Sequence, residues 1–122
     1  MIHGVVVGLQ ARMGIVFCLP GHANLEIECV VDTGFEGFLT LPSAVIAALD
    51  LPYAGRIEAS LADSSTISTD VYWATILWIG VERDIAVLGM GNRPLIGAAL
   101  LEGYHLSIDF YDSGTVLVDD IL

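Results

Sequence analysis

The chain contains the segment Val30-Val31-Asp32-Thr33-Gly34, in which an apolar run leads directly into a carboxylate. Residues 25–31 are predicted to form a strand, because β-branched and apolar side chains predominate there. Asp32 would then lie in a tight turn at the end of that strand. Burial raises the pKa of a carboxyl group, and glycine lets a backbone bend or approach another chain closely. The segment therefore predicts a site for acid–base chemistry.

The composition is that of a small acidic chain rich in apolar residues. It has 122 residues, of which 55% are hydrophobic, a mean hydropathy of +0.74 and a formal net charge of -11. This length predicts one domain covering residues 1–122. The basic residues are four arginines without any lysine, which argues against binding nucleic acid or an anionic membrane through a basic patch. A self-complementary interface, as in a homodimer, would cover the apolar excess.

The sequence also bears on location and on the two cysteines. The apolar runs at residues 71–81 and 85–101 are too short or too interrupted to span a membrane, and the N-terminus lacks the basic region of a secretory signal. We therefore expect a cytoplasmic protein. In a reducing compartment, Cys18 and Cys29 are expected to be free and to pack as small apolar side chains, with a disulfide or a reactive thiol as the alternative.

The pattern of apolar and turn-forming residues predicts a mostly β fold. The mid-chain part is predicted to be a long hairpin with a polar tip at residues 62–66. One short helix is expected at residues 42–49 with Ser43 as a cap, and another of about two turns between Gly97 and Gly103. The architecture is then a mostly antiparallel, closed β-barrel-like fold. The eight predicted strands cover residues 5–9, 14–19, 25–31, 56–61, 67–79, 81–90, 106–110 and 115–119.

Three features occur in one order along the chain: Asp32-Thr33-Gly34 after an apolar strand, the long hairpin, and Leu95-Ile96-Gly97 opening a short helix. In that order they resemble the retropepsin-like aspartic proteases, and the resemblance extends from about residue 25 to residue 110. It implies the single-lobe acid protease fold with one or two short helices. It also implies an aspartic endopeptidase that acts as a homodimer on a peptide or protein substrate, without a metal or an organic cofactor.

The resemblance also assigns roles to particular residues. Asp32 would be the catalytic aspartate, Thr33 would hydrogen-bond to the other subunit, and Gly34 would line the substrate backbone. Residues 61–69 would form the flap that covers the substrate. The remaining assignments are substrate contacts at Phe35, Glu36, Ala62, Asp63 and Ser64, and support of the catalytic loop by Leu95, Ile96 and Gly97.

Several alternatives stay open at this point. Asp32-Thr33-Gly34 is also compatible with a structural turn in which the aspartate accepts backbone hydrogen bonds and the glycine has a positive φ. A non-catalytic module that binds peptides or dimerises would have the same fold, and a monomer would keep the aspartates apart. Trp73 and Trp78 are expected in the sheet core, with a substrate groove as the alternative.

The remaining titratable residues carry no predicted chemistry. Three histidines lack a metal-ligand spacing with the cysteines, and the acidic residues of the last hairpin are expected to form a solvated edge. The histidines are His3, His22 and His105, and the acidic residues are Asp109, Asp112, Asp119 and Asp120.

Overall fold

The computed structural model describes residues 1–60 and 63–121. Within these residues the chain forms ten strands and two short helices, which confirms the mostly β prediction. The strands are β1 (Ile2–Val7), β2 (Gln10–Cys18), β3 (Leu25–Val31), β4 (Leu39–Leu41), β5 (Tyr53–Ser60), β6 (Thr66–Trp78), β7 (Val81–Gly89), β8 (Leu95–Ile96), β9 (Tyr104–Ile108) and β10 (Thr115–Asp120). The helices are α1 (Ser43–Leu49) and α2 (Ala98–Leu101).

Six of the strands pair into a ring. The sheet order is β5-β6-β7-β4-β8-β3-β2-β1-β10-β9, and an additional pairing joins β2 to β6. This pairing connects β2, β3, β8, β4, β7 and β6 in a continuous circuit. The strand pairs are antiparallel except for β3 with β8 and β4 with β7. The mostly antiparallel prediction is therefore confirmed, and the ring is compatible with the expected barrel-like architecture.

The core lies within this ring. Along β2, every second side chain is buried, as expected for a strand with one face on the core. Alternating residues of β6 and β7 and the short strands β4 and β8 complete the core. Its largest fully buried side chains include Met13, Ile15, Phe17, Leu39, Leu41, Ile76, Ile85, Ile96 and Leu100.

The strand boundaries near the N-terminus differ from the prediction. β1 begins at Ile2 and ends at Val7, because Gly8 and Leu9 form a two-residue hairpin loop in which both have positive φ. β2 then begins at Gln10, whose partner across the loop is Val7. A leucine rarely adopts a positive φ, so the apolar Leu9 gave no sequence signal of a turn.

Two short strands were missing from the prediction, and both lie beside the Asp32 turn. β4 and β8 have only three and two residues, too few to produce a recognisable alternation. Two further strands begin earlier than predicted: β5 begins at Tyr53 rather than at residue 56, and β9 begins at Tyr104 rather than at residue 106. β3 has the predicted bounds.

Both helices differ from the prediction: α1 has a different cap residue, and α2 is shorter. Ser43 is the first residue of α1 rather than its cap; the cap position is Pro42, whose carbonyl accepts the N–H groups of Val45 and Ile46. α1 ends at Leu49, followed by the left-handed C-cap residue Asp50, so the predicted end before Pro52 is confirmed. α2 has four residues, about one turn instead of two.

The two tryptophans have opposite environments. Trp78 is 2% exposed and its ring meets Tyr104 edge to face, so the core prediction is right for it. Trp73 is 51% exposed, so the same prediction is wrong there. The residues are five apart, and side chains an odd number apart on a strand face opposite sides.

Two buried threonines differ in hydrogen bonding, and this difference can be measured. Thr40 is 1% exposed and its hydroxyl has no partner among the described residues, whereas the Thr69 hydroxyl donates to the Gly89 carbonyl at 3.0 Å. Thr40→Val removes a desolvated hydroxyl and should raise the free energy of unfolding by about 1 kcal/mol. Thr69→Val, the matched control, should lower it by about 1 kcal/mol. Urea denaturation checks both; equal destabilisation by the two variants would contradict the assignment for Thr40.

Candidate active site

Main-chain hydrogen bonds fix the turn that contains Asp32. β3 ends at Val31, and the next N–H, that of Asp32, donates to the Ile96 carbonyl of β8 at 2.9 Å. The Phe35 N–H donates to the Asp32 carbonyl at 3.1 Å and closes the turn. The Gly34 N–H donates to Asp32 Oδ1 at 3.0 Å. The turn is therefore attached to β8, and its own backbone orients the carboxylate.

The turn lies at the surface of the chain. Asp32 is half-buried, whereas Thr33 and Gly34 are exposed. Among the described residues, Gly34 alone donates a hydrogen bond to the Asp32 carboxylate. One carboxylate oxygen thus stays free for another group, and a second molecule has access to the turn.

Gly34 does not have the positive φ that the structural-turn alternative required. That alternative is right about the backbone hydrogen bond to the aspartate and wrong about the glycine. A Cβ at Gly34 would lie 3.3 Å from Asp32 Oδ1, so a side chain here would press on the carboxylate.

The segment Leu95-Ile96-Gly97 lies directly behind this turn. β8 runs parallel to β3, with Leu95 beside Val30 and Ile96 beside Val31, and it runs antiparallel to β4 on its other side. Ile96 is fully buried. The structure thus brings together two segments that are more than sixty positions apart in the sequence.

Gly97 is required for a close approach of backbone to backbone. Its N–H donates to the Phe38 carbonyl at 2.9 Å, and the next N–H, that of Ala98, donates to the Phe35 carbonyl at 2.7 Å. A Cβ at Gly97 would lie 2.0 Å from the Gly37 carbonyl oxygen, closer than atoms can pack. Its φ is -98°, which any residue can adopt, so the need for glycine here is steric.

The two residues after the turn have different surroundings. Phe35 is half-buried, and its ring lies over Gly37 and Gly97, where added Cβ atoms would come within 2.4 Å and 2.6 Å of it. Glu36 is exposed. Phe35 therefore packs on the supporting segment, and Glu36 is the one of the two that is open to a ligand.

The predicted flap is a hairpin of β5 and β6. Arg56 of β5 joins its partner strand by a hydrogen bond to the Ser68 hydroxyl at 3.0 Å and an ion pair with Asp70 at 3.4 Å. These groups lie on one face of the hairpin, because Arg56 and Asp70 are direct cross-strand partners. The hairpin is therefore braced along its arms by polar contacts.

The described part of the hairpin tip is an ordered turn. The Asp63 carboxylate accepts hydrogen bonds from the hydroxyl and the N–H of Ser65, and Ser64 has a φ of 71°. Both hydrogen bonds lower the pKa of Asp63, and the one from the Ser65 hydroxyl has the larger effect. Asp63 and Ser64 are both exposed. Ala62, the third predicted contact at the tip, lies outside the described residues.

β6 changes its buried face where the hairpin joins the ring. Thr69 and Val71 are buried in the hairpin part, and Ala74 and Ile76 are buried in the ring part, so the alternation shifts by one residue between Val71 and Ala74. In that interval the Trp73 N–H donates to the Pro52 carbonyl at 2.9 Å. The hairpin thus joins the ring where the buried face of β6 changes, and the break in strand register there lies in β5, between Tyr53 and Gly55.

The chain has a second triplet of the Asp-Thr/Ser-Gly type, Asp112-Ser113-Gly114, and its surroundings differ from those of Asp32-Thr33-Gly34. It connects β9 to β10, and the Asp112 carboxylate accepts a long hydrogen bond from the Gly8 N–H at 3.4 Å. Ser113 has a φ of 72°, and Gly114 is buried against the Asp109 carbonyl. This triplet is a connecting turn, and it offers a natural comparison for Asp32.

No group of three or more histidine, cysteine or acidic side chains suited to a metal ion occurs in the part of the chain that the structure describes. Cys29 is buried, and burial raises the pKa of its thiol to about 12, so it is an apolar core residue. Cys18 is half-buried, and no disulfide joins the two. Neither cysteine contributes to the Asp32 turn.

Neither a protein-family model nor a curated protein matches the sequence. Among solved structures, a retropepsin-like aspartic protease from Rickettsia conorii matches 94% of this chain and 88% of its own, with a TM-score of 0.59 and 19% sequence identity. The chain has the retropepsin-like fold. The resemblance predicted from three short segments is thus confirmed for the fold, across nearly the whole chain.

Gly97→Ala tests whether the close packing behind the Asp32 turn is needed. The new Cβ would collide with the Gly37 carbonyl, which belongs to the backbone and cannot rotate away, so we expect a loss of about 3 kcal/mol in the free energy of unfolding. Gly14→Ala is the matched control, because its Cβ would meet only the flexible Glu26 side chain. Chemical denaturation of both variants checks this, and equal stability of Gly97→Ala and the parent would contradict it.

Proposed function

We propose that the protein is an aspartic endopeptidase that acts as a homodimer, with one Asp32 from each copy in a shared catalytic pair. The observation that carries this proposal is the position of Asp32. Its carboxylate has one oxygen held by the Gly34 N–H, lies at the end of β3 and is attached to β8, in a chain with the retropepsin-like fold. Proteolysis is thus inferred from the site, with the fold as support.

Two features support pairing through this turn. Thr33 and Gly34 are exposed, so a second copy can reach them without rearrangement of the chain. Large apolar side chains are exposed elsewhere on the surface, which favours self-association in a chain with a mean hydropathy of +0.74. A twofold axis beside the turn would bring the two carboxylates together, because it places the same residue on both sides.

The chemistry follows from holding two carboxyl groups about 3 Å apart. They cannot both ionise, so they share one proton. The charged aspartate takes a proton from a water molecule, and the protonated aspartate polarises the scissile carbonyl as the water oxygen attacks its carbon. The aspartate that took the proton from water then transfers it to the amide nitrogen, and the C–N bond breaks. The apparent pKa values belong to the pair and not to either Asp32.

The hairpin of β5 and β6 is the proposed flap. Its tip carries the polar residues Asp63 and Ser64, and its arms are braced by Arg56, so it would close over a bound peptide as one unit. Closure would exclude bulk water and let the tip contact the substrate backbone. Glu36, exposed beside the turn, is proposed as a further substrate contact, and Phe35 as a support of the loop.

Replacing Asp32 tests the proposal. Asp32→Asn keeps an oxygen that can accept the Gly34 N–H but removes the ionisable group, so cleavage of a diverse peptide mixture between about pH 4 and 7 should fall by about 10²–10⁴-fold. Asp112→Asn is the control, because it makes the same substitution in the other Asp-Ser/Thr-Gly turn and should leave cleavage unchanged. Mass spectrometry of the peptides gives the rates, and light scattering shows whether each variant is a dimer.

Each of the other outcomes has a definite meaning. Equal cleavage by the parent and Asp32→Asn would contradict the catalytic assignment. A parent dimer that binds peptides and never cleaves them would instead support a non-catalytic peptide-binding module. A parent that stays monomeric at all concentrations would contradict the shared pair.

A further inference from the structure

A large cleft lies apart from the Asp32 turn. It has a volume of about 890 Å³ and lies between four parts of the chain: the connection from β2 to β3, the end of α1 with the segment that follows it, the middle of β6, and Asp84 of β7. None of its lining residues belongs to the turn, to β8 or to the hairpin tip. The lining of this cleft is therefore a surface separate from the Asp32 turn.

The walls of the cleft are mainly apolar. Leu25 and Trp73 line it and are 44% and 51% exposed, so solvent contacts large apolar surfaces there. Covering such surfaces is favourable at roughly 25 cal/mol per Å². The volume lies in the range of about 300–1,000 Å³ that is usual for small-molecule sites. The shape and lining therefore suit an organic molecule with an apolar body.

The charges on the cleft are all negative. Asp50 and Asp84 line it, and no arginine does so. The Asp84 carboxylate accepts a hydrogen bond from the Thr75 hydroxyl on the neighbouring strand, which holds it in place and leaves its other oxygen free among the described residues. The lining also contains the imidazole of His22. With a chain net charge of -11, the local field attracts cations and repels anions.

Trp73 adds a second reason to favour a cation. An indole ring attracts a positive charge over its face, more strongly than the rings of tyrosine or phenylalanine. Its backbone N–H donates to the carbonyl of Pro52, another lining residue, at 2.9 Å, so this hydrogen bond joins two parts of the lining. Trp73 and Thr75 are two apart on β6, and Asp84 is the cross-strand partner of Thr75, so the exposed indole and the Asp84 carboxylate lie on the same face of the sheet. An organic ammonium group could contact both.

We propose that this cleft is a binding site for a small organic cation, an amine or guanidine carried on an apolar body. The apolar body would cover the leucine side chains of the walls and part of the Trp73 indole. The cationic head would lie between that indole and the carboxylate of Asp84 or Asp50. The site is independent of Asp32, so it stands whether or not the protein is a protease.

A matched set of three probes tests the charge requirement. Phenylpropylamine, phenylpropanol and phenylpropanoate share an apolar body and differ in charge. The amine should bind saturably in the millimolar range and about tenfold more tightly than the alcohol, and the propanoate should bind more weakly still. Nuclear magnetic resonance resolves the indole N–H signals of the two tryptophans. Trp73 should shift on titration and the buried Trp78, which does not line the cleft, should not.

Variants of the full chain locate the bound probe. Asp84→Asn keeps an oxygen for Thr75 but removes the charge, and it should weaken amine binding by about threefold. Glu102→Gln removes the same charge from an exposed position outside the cleft and should leave binding unchanged. Asp32→Asn should also leave it unchanged, which separates this site from the proposed catalytic pair. Trp73→Leu should reduce the preference of the amine over the alcohol by about threefold, because the carboxylates remain.

Three results would overturn the proposal. Absence of saturable amine binding, with no shift of the Trp73 signal, would show that the cleft has no such ligand. Equal binding of the amine and the alcohol would show a merely apolar site. Weakening of amine binding by Asp32→Asn, with no effect of Asp84→Asn, would place the cation at the catalytic turn instead. The wild-type titration decides the first two even if the Trp73 variant does not fold.

Discussion

The parallel pairing of β3 with β8 is the constraint on which the rest of the site depends. A hydrogen bond from the Asp32 N–H to the Ile96 carbonyl fixes where β3 ends, and so fixes where the carboxylate turns out of the sheet. The same two residues of β8 pair with β4 on the other side, so β8 links the strand before the turn to the strand after it. Without β8, the six-strand ring would be open at this point, and the loop between β3 and β4 would be held only by its own turn.

Gly97 makes this pairing possible because it has no side chain. The backbone at Gly97 approaches the Gly37 carbonyl so closely that no side chain fits between them, and the ring of Phe35 covers the contact. The close approach also lets the N–H groups of Ala98 and Ala99 reach carbonyls of the loop between β3 and β4, which would otherwise lack intrachain partners. The first residues of α2 thus act as hydrogen-bond donors to the loop. A helix of a single turn is sufficient for that purpose.

The sequence was most informative where its signals were local or carried by a motif. β3 is rich in apolar and β-branched residues and is followed directly by Asp32, so its bounds were predicted correctly, and the order of three segments led to the right fold. It was least informative for β4 and β8, whose existence depends on tertiary pairing and not on their own few residues. It also missed the turn at Leu9, because that conformation is set by the hairpin and not by the residue's preference. The opposite exposures of Trp73 and Trp78 could not be predicted without knowing which face of β6 is buried, and the buried face changes along that strand.

The location of the 890 Å³ cleft also bears on the proposed function. In an enzyme whose active site is complete in one chain, the principal cavity usually contains the reactive groups. Here the Asp32 turn is at the surface and contributes nothing to that cavity. This is the arrangement expected if the substrate groove forms only between two copies, since each copy then presents half of a groove as an open surface. The polar tip of the hairpin suits the proposed flap in the same way, because such a flap would be solvated until a substrate lay beneath it. The surface position of the Asp32 carboxylate is therefore the position that the proposed catalytic pair of two chains requires.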